Sequence, residues 1–201
     1  MDLRDLAAVL LDMDGTLVDS DAAVERAWRA WAAEYAVAPA DVLAVAHGAP
    51  APRTVRLVRP DLDEAGVAEA AARQLALQYD DLSDVVPTRG ALELLAALRL
   101  PWAVVTSADV RLAKARLGAA GIEAPLLVTV EDVRAGKPDP EGYLRAAELL
   151  GVAPEHCLVV EDAEVGVTAG RAAGAQVAAL KGIDGDLRIP DLGGLAGVLA
   201  G

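Results

Sequence analysis

Two carboxylates stand where a strand could present them to one substrate. Asp12 and Asp14 follow the apolar run AAVLL, and alternate residues at the end of a strand point the same way. One carboxylate could attack phosphorus while the other handles the proton of the leaving group. Gly15 permits the tight turn that follows. A calcium loop of this DxDG type needs Gly at its sixth and Glu at its twelfth position, where this chain has Leu17 and Ala23.

Three later stretches add hydroxyls, a lysine and more carboxylates. They contain Thr106 and Ser107 after WAVV, Lys137 in GKPDP, and Glu161 and Asp162 after CLVV. Converging carboxylates repel one another unless a cation neutralises them, and a hard ion such as Mg²⁺ prefers oxygen ligands. The lysine could tie a phosphate to the nucleophile as a point charge. The backbone N–H groups after Ser107 open a helix, which favours anions. These residue types predict a metal site beside a phosphate site.

The four stretches can meet only if neighbouring strands of one sheet precede them. Apolar runs typical of strands are AAVLLDM (7–13), WAVVTS (102–107), PLLVTV (125–130), HCLVVED (156–162) and AQVAAL (175–180). From the second run onward, helical patterns separate them, and their continuous apolar character indicates a parallel sheet covered on both faces. Ligands of such sheets bind beyond the carboxyl ends of the strands. We therefore predict an α/β fold with a Rossmann-like doubly wound parallel sheet. Gly166, Gly170 and Gly174 recur at four-residue spacing and predict a helix lying close to it.

The stretch after the first strand breaks this βαβ order, because it contains helical patterns and no strand pattern. Trp28 and Trp31 share one face of its first helical pattern, and their spacing is typical of packing inside a small helical unit. We predict a small all-helical cap over residues 19–84, inserted into a catalytic core made of residues 1–18 and 85–201.

Composition narrows the class of partner. Of the 201 residues, 54% are apolar, which allows a sizeable core, and the net charge of −13 would repel a nucleic-acid backbone. The single Cys157 cannot form an internal disulfide and is expected to be a buried small apolar residue. The N-terminal stretch has no basic leader, and charges interrupt the later apolar stretches. We expect a cytoplasmic protein without a membrane segment or a nucleic-acid partner.

In order and at suitable spacing, DMDGTLVDS, VVTS, GKPDPEGY and VVEDAEVG resemble the four motifs of the haloacid dehalogenase-like hydrolase superfamily. The resemblance covers essentially the whole chain. The insert is similar to the helical cap of that superfamily, and AVERAWRAWAAEYAV followed by His47-Gly48 looks closest to its sugar, hexitol and glycerol phosphatases. The resemblance implies a Mg²⁺-dependent phosphatase that hydrolyses small phosphomonoesters, sugar or polyol phosphates, through an aspartyl-phosphate. Members of this size are often monomers, and the expected partner is a small phosphorylated metabolite.

The resemblance also implies roles for individual residues. Asp12 would be the nucleophile, and Asp14 the general acid and then the base for water. Asp12 and Asp162 would bind Mg²⁺ through carboxylates and Asp14 through its backbone carbonyl, with Glu161 supporting the metal. The groups implied or considered for phosphate or substrate binding are Ser107, the N–H of Ala108, Lys137, Thr106, His47 and Arg53. Ala108 stands where the superfamily often has Gly or Asn, but only its N–H is needed.

Other functions stay open on the sequence alone. A phosphosugar mutase would use the same motifs, although Thr16 after Asp-Gly looks more like the phosphatases. A dehalogenase needs no second acid two residues after the nucleophile, and Asp14 is present. A non-catalytic phosphosugar-binding protein would not require the intact set of Asp12, Asp14, Lys137 and Asp162.

Overall fold

The computed structural model describes residues 5–46 and 49–199. The chain forms two compact units, one built from the two segments 1–19 and 86–201 and the other from residues 20–85. Within the described ranges, no helix combines the length and the apolar character that crossing a membrane requires.

The larger unit is organised by a six-stranded parallel sheet. The strands of this unit are β1 Ala8–Leu11, β2 Val18–Asp19, β3 Val86–Pro87, β4 Trp102–Val105, β5 Leu127–Val128, β6 Cys157–Glu161, β7 Gln176–Ala179 and β8 Leu187–Arg188. The sheet order is β5-β4-β1-β6-β7-β8, so the chain builds outward from β1 on one side and then on the other. Leu11 at the end of β1 pairs in register with Val104 and Val160. The doubly wound parallel sheet is confirmed, and β1 lies between β4, which Thr106 and Ser107 follow, and β6, which ends at Glu161.

The larger unit also contains five α-helices among its described residues. They are α5 Ala91–Ala97, α6 Val110–Ala119, α7 Glu141–Leu150, α8 Glu164–Ala172 and α9 Leu192–Leu199. A Cβ atom on Gly170 of α8 would lie 3.0 Å from side-chain atoms of both Val159 and Val177, so the helix does lie close to the sheet. The predicted glycine stripe is only partly a packing feature, because Gly174 follows the end of α8 with a φ of +87°. Its role is the left-handed turn that ends a helix.

Two strands outside the sheet stand where the helical insert leaves and rejoins the larger unit. β2 and β3 pair antiparallel, with Val18 opposite Pro87 and Asp19 opposite Val86. The backbone N–H of Thr88 also donates to the carbonyl oxygen of Leu17 at 3.0 Å. The two ends of the insert are thereby held side by side.

The smaller unit consists of four helices and has no strand among its described residues. They are α1 Asp21–Glu34, α2 Pro39–Ala46, α3 Ala51–Val58 and α4 Glu64–Leu77. Trp31 is fully buried and its indole N–H donates to the carbonyl oxygen of Ala70 at 2.8 Å. Trp28 meets Trp31 edge-on with ring centroids 5.4 Å apart, and Tyr35 stacks on Trp31 at 4.5 Å. The two tryptophans form the core of this unit, as their spacing predicts.

Candidate active site

The Lys137 ammonium contacts groups at the ends of three strands. Its Nζ lies 2.5 Å from Asp12 Oδ1, directly after β1, and 2.7 Å from Glu161 Oε1 at the end of β6. It also donates to the carbonyl oxygen of Val105 at the end of β4, at 3.1 Å. All three acceptors stand at the carboxyl ends of adjacent strands, where doubly wound sheets bind ligands. The predicted meeting of Asp12, Lys137 and Glu161 is present in the structure.

Glu161 is the most enclosed carboxylate of the group, with 1% of its surface exposed. Besides the lysine, its Oε1 accepts a hydrogen bond from Tyr143 OH at 2.9 Å. Its Oε2 accepts from the backbone N–H groups of Asp162 at 2.9 Å and Ala163 at 3.1 Å. Four donors therefore satisfy and orient this buried charge. Sequence reasoning missed Tyr143, although it closes the motif GKPDPEGY.

Three carboxylates of this edge could hold a divalent metal ion. Each of Asp12, Glu161 and Asp162 offers an oxygen, and these oxygens all lie within 4.8 Å of one another. Burial raises the pKa of Asp12 well above its ordinary value, against the lowering effect of the Lys137 ammonium. Burial likewise raises the pKa of Asp162. Removal from water therefore disfavours the charged form of both carboxylates. A hard cation with oxygen ligands fits this donor set.

Asp14 stands on the turn that follows Asp12, with its carboxylate engaged by a buried arginine. Gly15 adopts a φ of +82° and donates its N–H to the carbonyl oxygen of Val18 at 2.7 Å, which shapes the turn. Arg116 Nη1 lies 2.8 Å from Asp14 Oδ1, and the Arg116 side chain is only 3% exposed. Arg116 was not among the residues predicted from the sequence. Its signal would have been a charge on the inward face of the helical pattern VRLAKARLGA.

The opposite edge of the site carries the predicted phosphate-binding hydroxyl. Ser107 follows β4 and is exposed, while Thr106 is buried. The N–H of Ala108 donates to Thr106 Oγ1 at 3.0 Å. At the start of α6, the N–H of Val110 faces the Glu131 carboxylate, with both oxygens 3.1 to 3.2 Å away. One N–H group of this helix opening is thus already engaged by a carboxylate of the chain.

A second lysine of the site lies beside Asp162. Lys181 Nζ lies 2.9 Å from Asp162 Oδ2, and Thr16 Oγ1 lies 3.5 Å from Asp162 Oδ1. Lys181 follows β7 and was not singled out from the sequence, because the run AALKGID carries no recognisable motif.

The two remaining candidates belong to the helical insert. Arg53 lies in α3 with its side chain exposed. His47 lies outside the described residues.

Comparison with known proteins adds an independent line of evidence. The family model for haloacid dehalogenase-like hydrolases matches residues 6–174. Hexitol phosphatase A of Escherichia coli (strain K12) is 45% identical over 175 residues, covering 85% of this chain and 81% of that protein. The 2-deoxyglucose-6-phosphate phosphatase 1 of Saccharomyces cerevisiae is 37% identical over 191 residues, covering 83% and 76%. A crystal structure of a HAD hydrolase, family IA, variant 3, from Entamoeba histolytica has the same fold. Its TM-score is 0.83 at 23% identity, over 93% of this chain and 94% of that one.

Proposed function

The chain belongs to the haloacid dehalogenase-like hydrolase family and is a phosphatase, and we propose that it hydrolyses small sugar or polyol phosphates through an aspartyl-phosphate on Asp12, with Mg²⁺ as its metal. One observation carries the mechanism. The Asp12 carboxylate stands at the end of the central strand, 2.5 Å from the Lys137 ammonium and beside two further carboxylates.

The proposed reaction has two displacements at phosphorus. An Asp12 carboxylate oxygen attacks the phosphorus atom, the bond to the sugar oxygen breaks, and Asp14 gives its proton to the departing oxygen. Asp14 then takes a proton from a water molecule, which attacks the phosphorus of the aspartyl-phosphate. Inorganic phosphate leaves and the Asp12 carboxylate is restored. Lys137 offsets negative charge on the phosphoryl oxygens in both steps. Arg116 holds the Asp14 carboxylate in place between the first step and the second.

The proposed metal ligands are the carboxylates of Asp12 and Asp162 and the backbone carbonyl of Asp14, with Glu161 supporting them. The donor set is composed of oxygen atoms, which suits Mg²⁺. When bound, the ion would supply positive charge to the phosphoryl oxygens and so stabilise the transition state.

Phosphate and substrate binding completes the proposal. We propose that the Lys137 ammonium and the Ser107 hydroxyl bind the phosphoryl group. The Ala108 N–H can join them only by exchanging Thr106 Oγ1, its present acceptor, for a phosphoryl oxygen. We further propose that residues 19–84 act as the cap and that His47 and Arg53 contact the substrate. The preference for sugar or polyol phosphates is supported by the names of the relatives, which are hexitol, deoxyglucose and glycerol phosphatases.

The test is phosphate release from hexitol phosphates, 2-deoxyglucose 6-phosphate, glycerol 1-phosphate, phosphoglycolate and nucleoside monophosphates, with and without Mg²⁺. Asp12→Asn should lower the rate on the order of 10⁴-fold or more while the fold is kept. Asp184→Asn is the matched control, because Asp184 is exposed and pairs with Arg188 at the surface. Turnover retained by Asp12→Asn contradicts the mechanism. Isomerisation of β-glucose 1-phosphate without phosphate release would instead identify a mutase.

A further inference from the structure

We propose that Lys181 is a resident counter-ion of Asp162 that competes with the metal ion for this carboxylate and thereby lowers the affinity of the site for metal. The inference rests on the proposed metal site and adds a residue that tunes it. Its basis is one ion pair, one unusual turn and one cavity beside them.

The ion pair occupies an oxygen of the carboxylate that the metal would use. Lys181 Nζ lies 2.9 Å from Asp162 Oδ2, and the Asp162 side chain is 9% exposed. A Cβ atom on Gly15 would lie 2.1 Å from the same oxygen and 2.9 Å from the same Nζ. The carboxylate and the ammonium therefore pack together over the Gly15 backbone, which leaves room for them only because it carries no side chain. A cation that binds this oxygen must share it with the ammonium or displace it.

The charges of the cluster predict in which direction the metal affinity changes when Lys181 is replaced. The metal-binding cluster has three carboxylates, and Lys137 contacts those of Asp12 and Glu161 while Lys181 contacts that of Asp162. With each group ionised, the chain's own two ammonium groups leave one negative charge uncompensated. Without Lys181 two negative charges remain, which matches a divalent cation. Removing the Lys181 charge should therefore strengthen metal binding.

The backbone at Lys181 is a second, independent observation. Lys181 has a φ of +51° and Gly182 a φ of +75°, and the Ile183 N–H donates to the carbonyl oxygen of Leu180 at 3.0 Å. Two successive residues with positive φ and this hydrogen bond form the pattern of a type I′ turn, which favours Gly, Asn or Asp. A lysine at its first central position is disfavoured by backbone sterics. Backbone strain of this kind clusters at functional sites, and here it directs the lysine side chain to Asp162.

The ammonium also has room to leave. A cavity of about 200 Å³ is lined by Gly15, Thr16, Thr88, Arg89 and Lys181, among others, and the Lys181 side chain is 40% exposed. The side chain can therefore move away from Asp162 without disturbing the core. Competition between the ammonium and the metal ion is consequently reversible.

The experiment is calorimetric titration of the metal-free protein with Mg²⁺. Lys181→Met keeps the unbranched side chain and the same backbone demand but removes the charge, and should bind Mg²⁺ more tightly on the order of fivefold. Lys181→Arg should bind as the wild type does. Lys114→Met is the matched control, because Lys114 is exposed on α6, and should leave the affinity unchanged. Unchanged or weaker binding by Lys181→Met overturns the proposal.

Two further measurements separate the inference from the proposed metal site. Saturating Mg²⁺ should raise the melting temperature of Lys181→Met more than that of the wild type, because tighter binding stabilises the folded state further. An equal or smaller rise contradicts competition. Lys181→Asn, which suits the turn, gives the same comparison if the Met variant does not fold. Asp162→Asn should abolish binding. Wild type that binds no Mg²⁺ refutes the metal site together with the inference, whereas binding that is insensitive to Lys181 refutes the inference alone.

Discussion

The backbone of α8 lies against the Glu161 carboxylate at Gly166. A Cβ atom on Gly166 would lie 1.6 Å from Glu161 Oε1, 1.9 Å from its Cδ and 2.5 Å from its Oε2. Contacts this short cannot be accommodated, so Gly166→Ala must displace the carboxylate. Glu161 cannot simply rotate into solvent, because it is 1% exposed and accepts four hydrogen bonds.

The size of the effect follows from what the displaced carboxylate loses. Glu161 would separate from Lys137, Tyr143 and two backbone N–H groups. Breaking a buried ion pair costs about 3–5 kcal/mol, and the better helix propensity of alanine returns at most about 1 kcal/mol. We expect Gly166→Ala to lower the free energy of unfolding by about 2–4 kcal/mol, or the melting temperature by about 5–15 °C.

Urea unfolding followed by circular dichroism measures this loss, with two glycines as matched controls. Gly118→Ala in α6 meets no atom within 4 Å and should stabilise the protein by up to about 1 kcal/mol. Gly170→Ala approaches Val159 and Val177 at 3.0 Å and should destabilise it by about 1–3 kcal/mol through overpacking. If Gly166→Ala is as stable as Gly118→Ala, Glu161 is not held as described and the reasoning is refuted.

Three other predictions concern neighbouring residues. Arg116→Met should slow phosphate release by roughly tenfold or more, because Asp14 loses the guanidinium that positions it. The Mg²⁺ affinity should stay unchanged. Steady-state kinetics measures the rate and calorimetry the affinity, and an unchanged rate contradicts the prediction. Tyr143→Phe should destabilise the protein by about 1.5–3 kcal/mol in urea unfolding, since Glu161 loses a hydrogen bond to a charged group; a loss near zero contradicts it. Burial raises the pKa of Cys157 to about 11, so at pH 8 the thiol should stay protonated and react with a disulfide reagent only after unfolding; rapid reaction of the native protein contradicts this.

Local pattern was sufficient for much of the fold. Each of the five predicted strands exists, because a strand buried on both faces leaves a continuous apolar run in the chain. The pair of β2 with β3 and the edge strand β8 were not predicted. Each of these three strands is two residues long. The strand β5 is equally short, but it lies within the longer apolar run PLLVTV, whereas β2, β3 and β8 lie in no such run and are defined by their pairing partners.

The site likewise has features that the sequence predicts and features that it does not. Asp12, Lys137 and Glu161 could be brought together in advance, because each follows or lies near the end of a predicted strand and parallel strands end at one edge. The opening of α6 could not be judged in this way. Its N–H groups were expected to face an anion, but Glu131, from a turn that follows another strand, lies against Val110. The N-terminus of a helix favours an anionic partner, but it does not determine whether that partner is a ligand or a carboxylate of the chain.

The sequence by itself determined which residue types could perform the chemistry and that they would gather at one sheet edge, because motifs and apolar runs are local properties of the chain. Only the tertiary structure decided the charge pairing: Arg116 with Asp14, Lys181 with Asp162, and Tyr143 on Glu161. These partners lie far apart in sequence and meet through strand order and helix packing, which local spacing does not encode. The structure likewise showed that Gly166, predicted as a helix–sheet packing residue, lies directly against the buried Glu161 carboxylate.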